Sequence, residues 1–385
     1  MGEVAESFDY GLNASAKDFD GTHKYIRITD IDDSLRFFDE SNLTSPDIDF
    51  ANSDNYLLKR GDILFARTGA SVGKSYIHKD DESIVYFAGF LIRARVSAEY
   101  DADYIYQNTL TEKYNTFIKI MSQRSGQPGV NAQEYASYSL GIPSFEEMQK
   151  LGTFFRTLDE LLAASQRKVA GLKQLKAAYL QQMFPQAGEC VPRVRFEGFD
   201  GEWEIKQLGE LVTQVVREVP KPDKAYKRLS IRSHAKGTFH QIVEEPEKVA
   251  MDKLYVVHEN DLIVNITFAW EHAIAVAGRD DSGLLVSHRF PTFEIDKADI
   301  DFIRILVSQE EFRKKMELIS PGGAGRNRVL NRGDFVEISL VAPSVNEQIA
   351  IGSFFRNLDD QIIVCQDKLD SFKHLKSAYL QKMFV

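Results

Sequence analysis

PSFEEMQKLGTFFRTLDELLAASQRKVAGLKQLKAAYLQQMF, residues 143–184, returns 200 residues later as PSVNEQIAIGSFFRNLDDQIIVCQDKLDSFKHLKSAYLQKMF, residues 343–384. The two stretches align without a gap and share 20 of 42 positions, where average composition gives about two or three. A repeat of this size fixes architecture before any motif is weighed. Both copies read as helix from the first turn. Ser144 with Glu147, and Ser344 with Glu347, have the S-x-x-E spacing of a capping box, each behind a proline that ends the preceding strand. Apolar residues then recur at heptad spacing: Leu151, Phe155, Leu158, Leu162, Val169, Leu172, Tyr179 and Met183 in the first copy, and Ile351, Phe355, Leu358, Ile362, Leu369, Phe372, Tyr379 and Met383 in the second. Lys176 and Lys376 interrupt the seam at equivalent positions, where a long polar side chain lowers stability and fixes register.

A seam of this kind in one copy is equally the mark of an ordinary core helix. Two copies favour mutual cover. Helices of about 40 residues run about 60 Å, too far for one small domain to cover, so each most simply covers the other. A closed pairing of two equivalent units has an approximate two-fold axis, which makes the helices antiparallel and sets the globular parts at opposite ends. The expected fold is α+β and pseudo-two-fold symmetric, with two globular domains separated by a coiled-coil-like antiparallel pair of long repeated helices. The boundaries are a first globular domain at 1–142, a long helix at 143–184, a linker at 185–202, a second globular domain at 203–342 and a second long helix at 343–385.

Between the helices the chain changes to short β-rich runs: Tyr25 to Thr29, Asp62 to Ala66, Ser83 to Val96, Asp261 to Ile266 and Leu284 to Phe290. Gly, Asn, Asp and Ser clusters separate them. Short helices are expected near Asp103 to Met121 and near Asp299 to Ile319. The halves match loosely at their starts, Gly2 to Ala5 against Gly209 to Val212, and at their ends, Ser125 to Asn131 against Gly322 to Asn331. Their middles look unrelated.

The 385 residues, 43% hydrophobic, suffice for two domains of ordinary size. Cys190 and Cys365 stand far apart with no Cys or His at metal-ligand spacing, so neither a disulfide framework nor a zinc site is indicated and a reducing cytoplasm is expected. No apolar run reaches the length of a membrane span, and the opening MGEVAESFDYG lacks the basic and apolar regions of a signal peptide. The formal net charge of -10 argues on its face against a nucleic-acid partner. Basic residues number 14 against 22 acidic before Pro143, and 22 against 26 from Pro185 to Ala342. A surface for a polyanion must therefore be a local patch.

Motifs suggesting an enzyme fail on inspection. GASVGKS, Gly69 to Ser75, resembles a phosphate-binding loop, but Thr68 stands where glycine belongs and the following residues read as strand rather than helix. A basic, glycine-flexed loop facing a polyanion suits the same residues better. Asn265-Ile266-Thr267-Phe268 resembles the N-P-P-F of adenine methyltransferases without its prolines. His234, His240, His258, His272 and His288 have no nucleophile or metal spacing. No catalytic residue is assigned.

The repeated P-S-x-x-E helix ending in L-K-x-A-Y-L-Q-x-M-F is similar to the repeated regions of Type I restriction-modification specificity subunits. Pro192 to Trp203 followed by Leu208-Gly209-Glu210 resembles the segment that opens a target-recognition domain in that family, and Ala66 to Ser75 a loop common within such domains. The first half starts at Gly2-Glu3 without the lead-in that Arg195 to Leu208 give the second, so the chain is either trimmed or begins short there. The resemblance implies a non-catalytic subunit in which each domain reads one half of a bipartite, adenine-containing site on double-stranded DNA. The helices would set the unread spacer and dock two modification subunits, alongside two restriction subunits. S-adenosylmethionine, ATP and Mg would belong to those partners, with no cofactor on this chain. Direct readout needs side chains that hydrogen-bond base edges, and phosphate contacts need cations and small residues on loops. On that ground the first domain offers Arg67, Thr68, Ser71, Lys74, Arg124, Gln127 and Asn131, and the second Arg232, Lys236, Trp270, His272, His288, Arg289, Arg326 and Arg328. For each, a solvated charge or turn residue is the bland alternative. Two other functions compete: a coiled-coil scaffold that binds only proteins, and an enzyme using the Gly69 to Ser75 loop on nucleotides.

Overall fold

A computed structural model describes residues 1–123, 126–320 and 329–384. It divides into two units, one comprising residues 1–170 and 364–385, the other residues 171–363.

The first unit contains strands β1 (Ala5–Tyr10), β2 (Ala16–Asp18), β3 (His23–Ile26), β4 (Thr44–Pro46), β5 (Ile63–Ala66), β6 (Ser75–Ile77), β7 (Ile84–Phe87) and β8 (Leu91–Val96). Helices α1 (Ala102–Asn108), α2 (Glu112–Met121) and α3 (Ala132–Ala136) follow, and then the long α4 (Phe145–Met183), whose first part belongs to this unit. The main sheet has the order β1-β8-β5-β6, and β3 pairs with β7 in parallel. ILFA, residues 63–66, reads as an unbroken apolar run because β5 is buried on both faces. Ile63 and Phe65 enter the core beneath α1 and α2, while Leu64 and Ala66 enter a second core with Ile26 and Phe87.

The second unit contains β9 (Glu204–Gln207), β10 (Thr213–Val215), β11 (Glu218–Pro220), β12 (Tyr226–Ile231), β13 (Thr238–Val243), β14 (Lys253–Val256), β15 (Leu262–Val264), β16 (Ile274–Val276), β17 (Leu285–Val286) and β18 (Thr292–Glu294). Helices α5 (Ile300–Ser308), α6 (Glu310–Ile319) and α7 (Arg332–Val336), strand β19 (Ser339–Ala342) and the long α8 (Val345–Met383) complete the chain, the last part of α8 lying in the first unit. Its main sheet, β10-β18-β15-β16, repeats the first unit's order. Ile63 faces Ala94 and Ile77 in one sheet, and Leu262 faces Phe293 and Val276 in the other. All three positions are 199 residues apart. The repetition, strong in the helices and loose at the starts and ends of the two halves in sequence, therefore continues through the sheets.

Two buried aspartates show the depth of that equivalence. Asp62 accepts from Lys59 N at 2.9 Å and Asp261 from His258 N at 2.8 Å; both side chains are 2% exposed. Each is paired with an arginine, Arg95 at 2.9 Å in one unit and Arg217 at 2.5 Å in the other.

The long helices join their domains through matched glycines. A Cβ on Gly152 would lie 2.0 Å from Asp101 Oδ1, and one on Gly352 2.2 Å from Asp299 Oδ1. Those aspartates cap α1 and α5, accepting from Tyr104 N and Phe302 N at 2.8 Å. Only glycine admits so close an approach.

Within each unit the two helix segments run antiparallel. In the first, Phe154 meets Tyr379 with ring centroids 5.2 Å apart and Asp159 meets Lys376 at 2.5 Å. In the second, Tyr179 meets Phe354 at 5.0 Å and Lys176 meets Asp359 at 2.6 Å. The lysines that interrupt the seam thus find equivalent aspartates on the opposite helix. Phe155, Leu158, Leu162, Val169 and Met183 are buried on α4, and Ile351, Phe355, Leu358 and Leu369 on α8; Leu151, Leu172, Tyr179, Ile362, Phe372 and Tyr379 are half-buried. Met383 corrects the reading. It is 40% exposed, Leu380 is buried instead, and Phe384 closes the helix end against Phe155 and Tyr104. The caps also differ. Ser144 Oγ accepts from Glu147 N at 3.3 Å, as a capping residue should, whereas the Glu347 carboxylate is held by Arg195 at 2.6 Å.

Candidate nucleic-acid interface

In each domain three segments converge beyond one end of the main sheet. The first is the turn after the doubly buried strand, Gly69–Ser71 after β5 and Ala269–Glu271 after β15. The second precedes the neighbouring strand, at residues 88–90 and 287–290. The third precedes the short helix, at 127–130 and 329–331. Backbone hydrogen bonds tie them in the same pattern: Val130 N to Arg67 O at 2.9 Å and Leu330 N to Ile266 O at 2.8 Å, Arg67 N to Phe90 O at 3.1 Å and Ile266 N to Arg289 O at 3.0 Å.

The turn itself needs a left-handed residue at its end. Gly73 supplies it in the first domain with φ of 85°, and His272, at the equivalent place, in the second with φ of 60°. The glycine that made GASVGKS look like a phosphate loop is therefore turn chemistry. The residues after Lys74 form strand β6, not a helix.

This corrects several expected contacts. Lys74 is buried, 6% exposed, and its ammonium reaches Ile31 O at 2.7 Å, Ile28 O at 3.3 Å and Asp33 at 2.5 Å. It straps residues 28–33 onto the turn rather than facing a polyanion. The second domain straps an unrelated segment to the same place by main chain: the tip of the β12–β13 hairpin docks through His234 N to Glu271 O and Ala235 N to His272 O, both 2.8 Å. His272 is likewise buried, 3% exposed, with Nε2 2.7 Å from Val307 O. Burial holds its pKa below the ordinary imidazole value. Asn131 caps α3, its side chain accepting from Glu134 N at 2.9 Å, and Asn331 does the same for α7 with Gly333 N at 2.8 Å. Arg124, Arg326 and Arg328 lie outside the described residues.

The remaining expected residues gather at the two tips. In the first domain Arg67 is half-buried, with Nη1 donating to Gly89 O at 3.3 Å and its guanidinium 5.0 Å from the Tyr10 ring. Thr68 bridges to Gly129, Ser71 sits half-buried in the turn and Gln127 is exposed beside Gly69. In the second, Arg289 is exposed and its Nη1 donates to Thr267 Oγ1 at 3.2 Å, while His288 is exposed and its carbonyl accepts from Arg332 at 2.7 Å. Trp270 is 37% exposed on the turn. Arg232 and Lys236 are exposed on the docked hairpin tip, where Arg232 donates to Thr238 O and lies 5.1 Å from the Phe239 ring. Sequence reasoning missed Tyr10, Phe90, Phe268 and Arg332. Tyr10 is 44%, Phe90 63% and Phe268 46% exposed. Their signal was an aromatic within a turn or at a strand end, visible only once the turns are known to converge.

Each tip thus carries an arginine together with exposed aromatic side chains, Arg67 with Tyr10 and Phe90 in one domain and Arg289 with Phe268 and Trp270 in the other. The model of the Type I restriction modification DNA specificity domain matches residues 2–174. The first part of the chain thus carries a Type I restriction modification DNA specificity domain, and the chain as a whole is similar to Type I restriction-modification specificity subunits. It is 18% identical over 336 residues to the putative type I restriction enzyme MjaX specificity subunit of Methanocaldococcus jannaschii, covering 84% of this chain and 78% of that protein. Its fold is similar to that of the Type I restriction-modification system S subunit from M. genitalium, with a TM-score of 0.64 at 11% identity over 100% of this chain and 94% of that one. Among the described residues no helix is long and apolar enough to cross a membrane, and no group of three or more His, Cys, Asp or Glu is arranged to hold a metal.

Proposed function

We propose that the chain is a specificity subunit in which each domain reads one half of a bipartite, adenine-containing DNA target through its three-segment tip. The long helices set the spacer and dock two modification subunits, and two restriction subunits complete the complex. S-adenosylmethionine, ATP and Mg belong to those partners, and the chain itself does no chemistry. The observation carrying this reading is that a repeated frame ends in two tips whose side chains differ. One frame explains a common partner surface, and unlike tips explain an asymmetric target.

Phosphate contacts supply most sequence-independent affinity, and the net charge of -10 leaves few of them to this chain. Modification subunits would supply the missing cations and close around the duplex. Co-expression with candidate modification subunits and genome-wide mapping of N6-methyladenine tests the function. One bipartite motif supports it; no methylated motif refutes it.

A further inference from the structure

We infer that an arginine and an adjacent exposed phenylalanine form the base-reading couple of each half-site, and that the two domains carry this couple with its members exchanged between loops. The inference rests on the reading of the tips as DNA-facing. In the first domain the turn after β5 provides the cation, Arg67, and the segment before β8 the ring, Phe90, 63% exposed. They are joined by the 3.1 Å bond from Arg67 N to Phe90 O. In the second domain the turn after β15 provides the ring, Phe268, 46% exposed. The cation is Arg289, which stands 199 residues after Phe90 and therefore occupies the ring's place in the frame. It is tied to the turn by its bond to Thr267, the neighbour of Phe268.

A single exposed phenylalanine on a surface needs no explanation. Two of them, each beside an arginine on equivalent convergent loops of an acidic protein, are a pattern. The arginines are oriented by local partners, Tyr10 and Gly89 for Arg67 and Thr267 for Arg289, which limits the freedom lost on docking. A guanidinium held in this way matches the O6 and N7 acceptors of guanine in the major groove, and an adjacent ring packs on the methyl group of a neighbouring thymine. Each half-site should therefore contain a guanine read by the arginine and a flanking base read by the phenylalanine.

The test uses the full complex with its modification subunits, Arg67→Lys, Phe90→Ala, Arg289→Lys and Phe268→Ala variants, and methylated-motif mapping. Lysine keeps the charge and loses the two-pronged geometry, so a role confined to phosphate attraction would survive it. Arg67→Lys and Phe90→Ala should both relax the same half-site, with methylation of the wild-type motif falling about tenfold. Arg289→Lys and Phe268→Ala should relax the other half-site only. Unchanged motifs, or a uniform loss across all sequences, would overturn the couple while leaving the specificity function intact. A wild-type complex that methylates no bipartite motif would instead bring down the functional reading on which the couple rests. Unfolding measured on each variant separates loss of reading from loss of fold: a relaxed motif in a variant that unfolds like wild type supports the couple, and a motif lost only together with the fold counts against it.

Discussion

The two domains solve the same structural problems with different residues. Both bury an aspartate at the start of the doubly buried strand. The first neutralises Asp62 with Arg95 on β8; the second has Glu294 at that place in β18 and neutralises Asp261 with Arg217, just beyond β10. Both need a left-handed residue at the tip, and one uses Gly73 where the other uses His272. Both strap a variable segment onto the turn, one by the Lys74 ammonium and the other by main-chain bonds from a hairpin. Backbone pairing and the need to satisfy buried polar groups hold the frame constant. Whatever meets those needs is allowed, and the segments between β3 and β5 and between β12 and β15 are free to differ.

The largest expected effect tests the shared aspartates. Removing one member of a buried ion pair leaves the other charge uncompensated and costs about 3–5 kcal/mol. Asp62→Ala and Asp261→Ala should each lower stability by about that amount in urea unfolding. A loss below about 1 kcal/mol, the range of exposed pairs, would mean the aspartates are not equivalent keystones.

Next come the glycine joints. Gly152→Ala and Gly352→Ala force a methyl group against a capping aspartate, and overpacking of this kind costs about 1–3 kcal/mol. The two losses should be alike, because the clashes are alike at 2.0 and 2.2 Å. A harmless substitution at either joint would break the symmetry of the frame.

The seam lysines should separate. Lys376 and Asp159 are 15% and 16% exposed, and burial holds the Lys376 ammonium below its ordinary pKa; Lys176 and Asp359 are 27% and 47% exposed. Lys376→Met removes the ion partner of the largely buried Asp159, which keeps the Gln107 amide at 2.8 Å, at a cost of about 1–3 kcal/mol, while Lys176→Met should cost about 0–1 kcal/mol. Equal losses in thermal unfolding would show that surroundings do not distinguish the pairs.

The smallest effect concerns acid. Each domain buries one imidazole whose pKa burial lowers, His78 in the first and His272 in the second. The folded state then binds fewer protons than the unfolded chain. Stability is full above the unfolded value of about 6.5 and falls as pH drops through it towards the folded value. His272→Asn, which keeps a residue tolerant of the left-handed turn, should flatten the loss of melting temperature between about pH 7 and pH 5. A slope as steep as wild type would remove His272 from the account.

Much of the helical frame was legible because its signal lies in side chains: heptad spacing, paired lysines and 20 shared positions in 42. The repeat through the sheets was not, because strand pairing is made by main-chain groups that leave no mark on composition. Asp62 with Asp261 and Thr68 with Thr267 are among the few identities that survive at that offset. The sites divided similarly. Arg67 and Arg289 were recognisable as cations on loops, but nothing in the sequence distinguishes Lys74 and His272, turned inward, from residues that face solvent. Nor could it pair Phe90 with Arg67, since their adjacency depends on β8 lying beside β5.

One frame carrying two independent readers is the central claim, and replacing residues 208–342 by a second copy of residues 1–142 tests it most directly. Mapped in the presence of the same modification subunits, the methylated target should contain two copies of one half-site and none of the other. A target that keeps both original half-sites, or one in which neither survives although the complex assembles and methylates, would contradict the account.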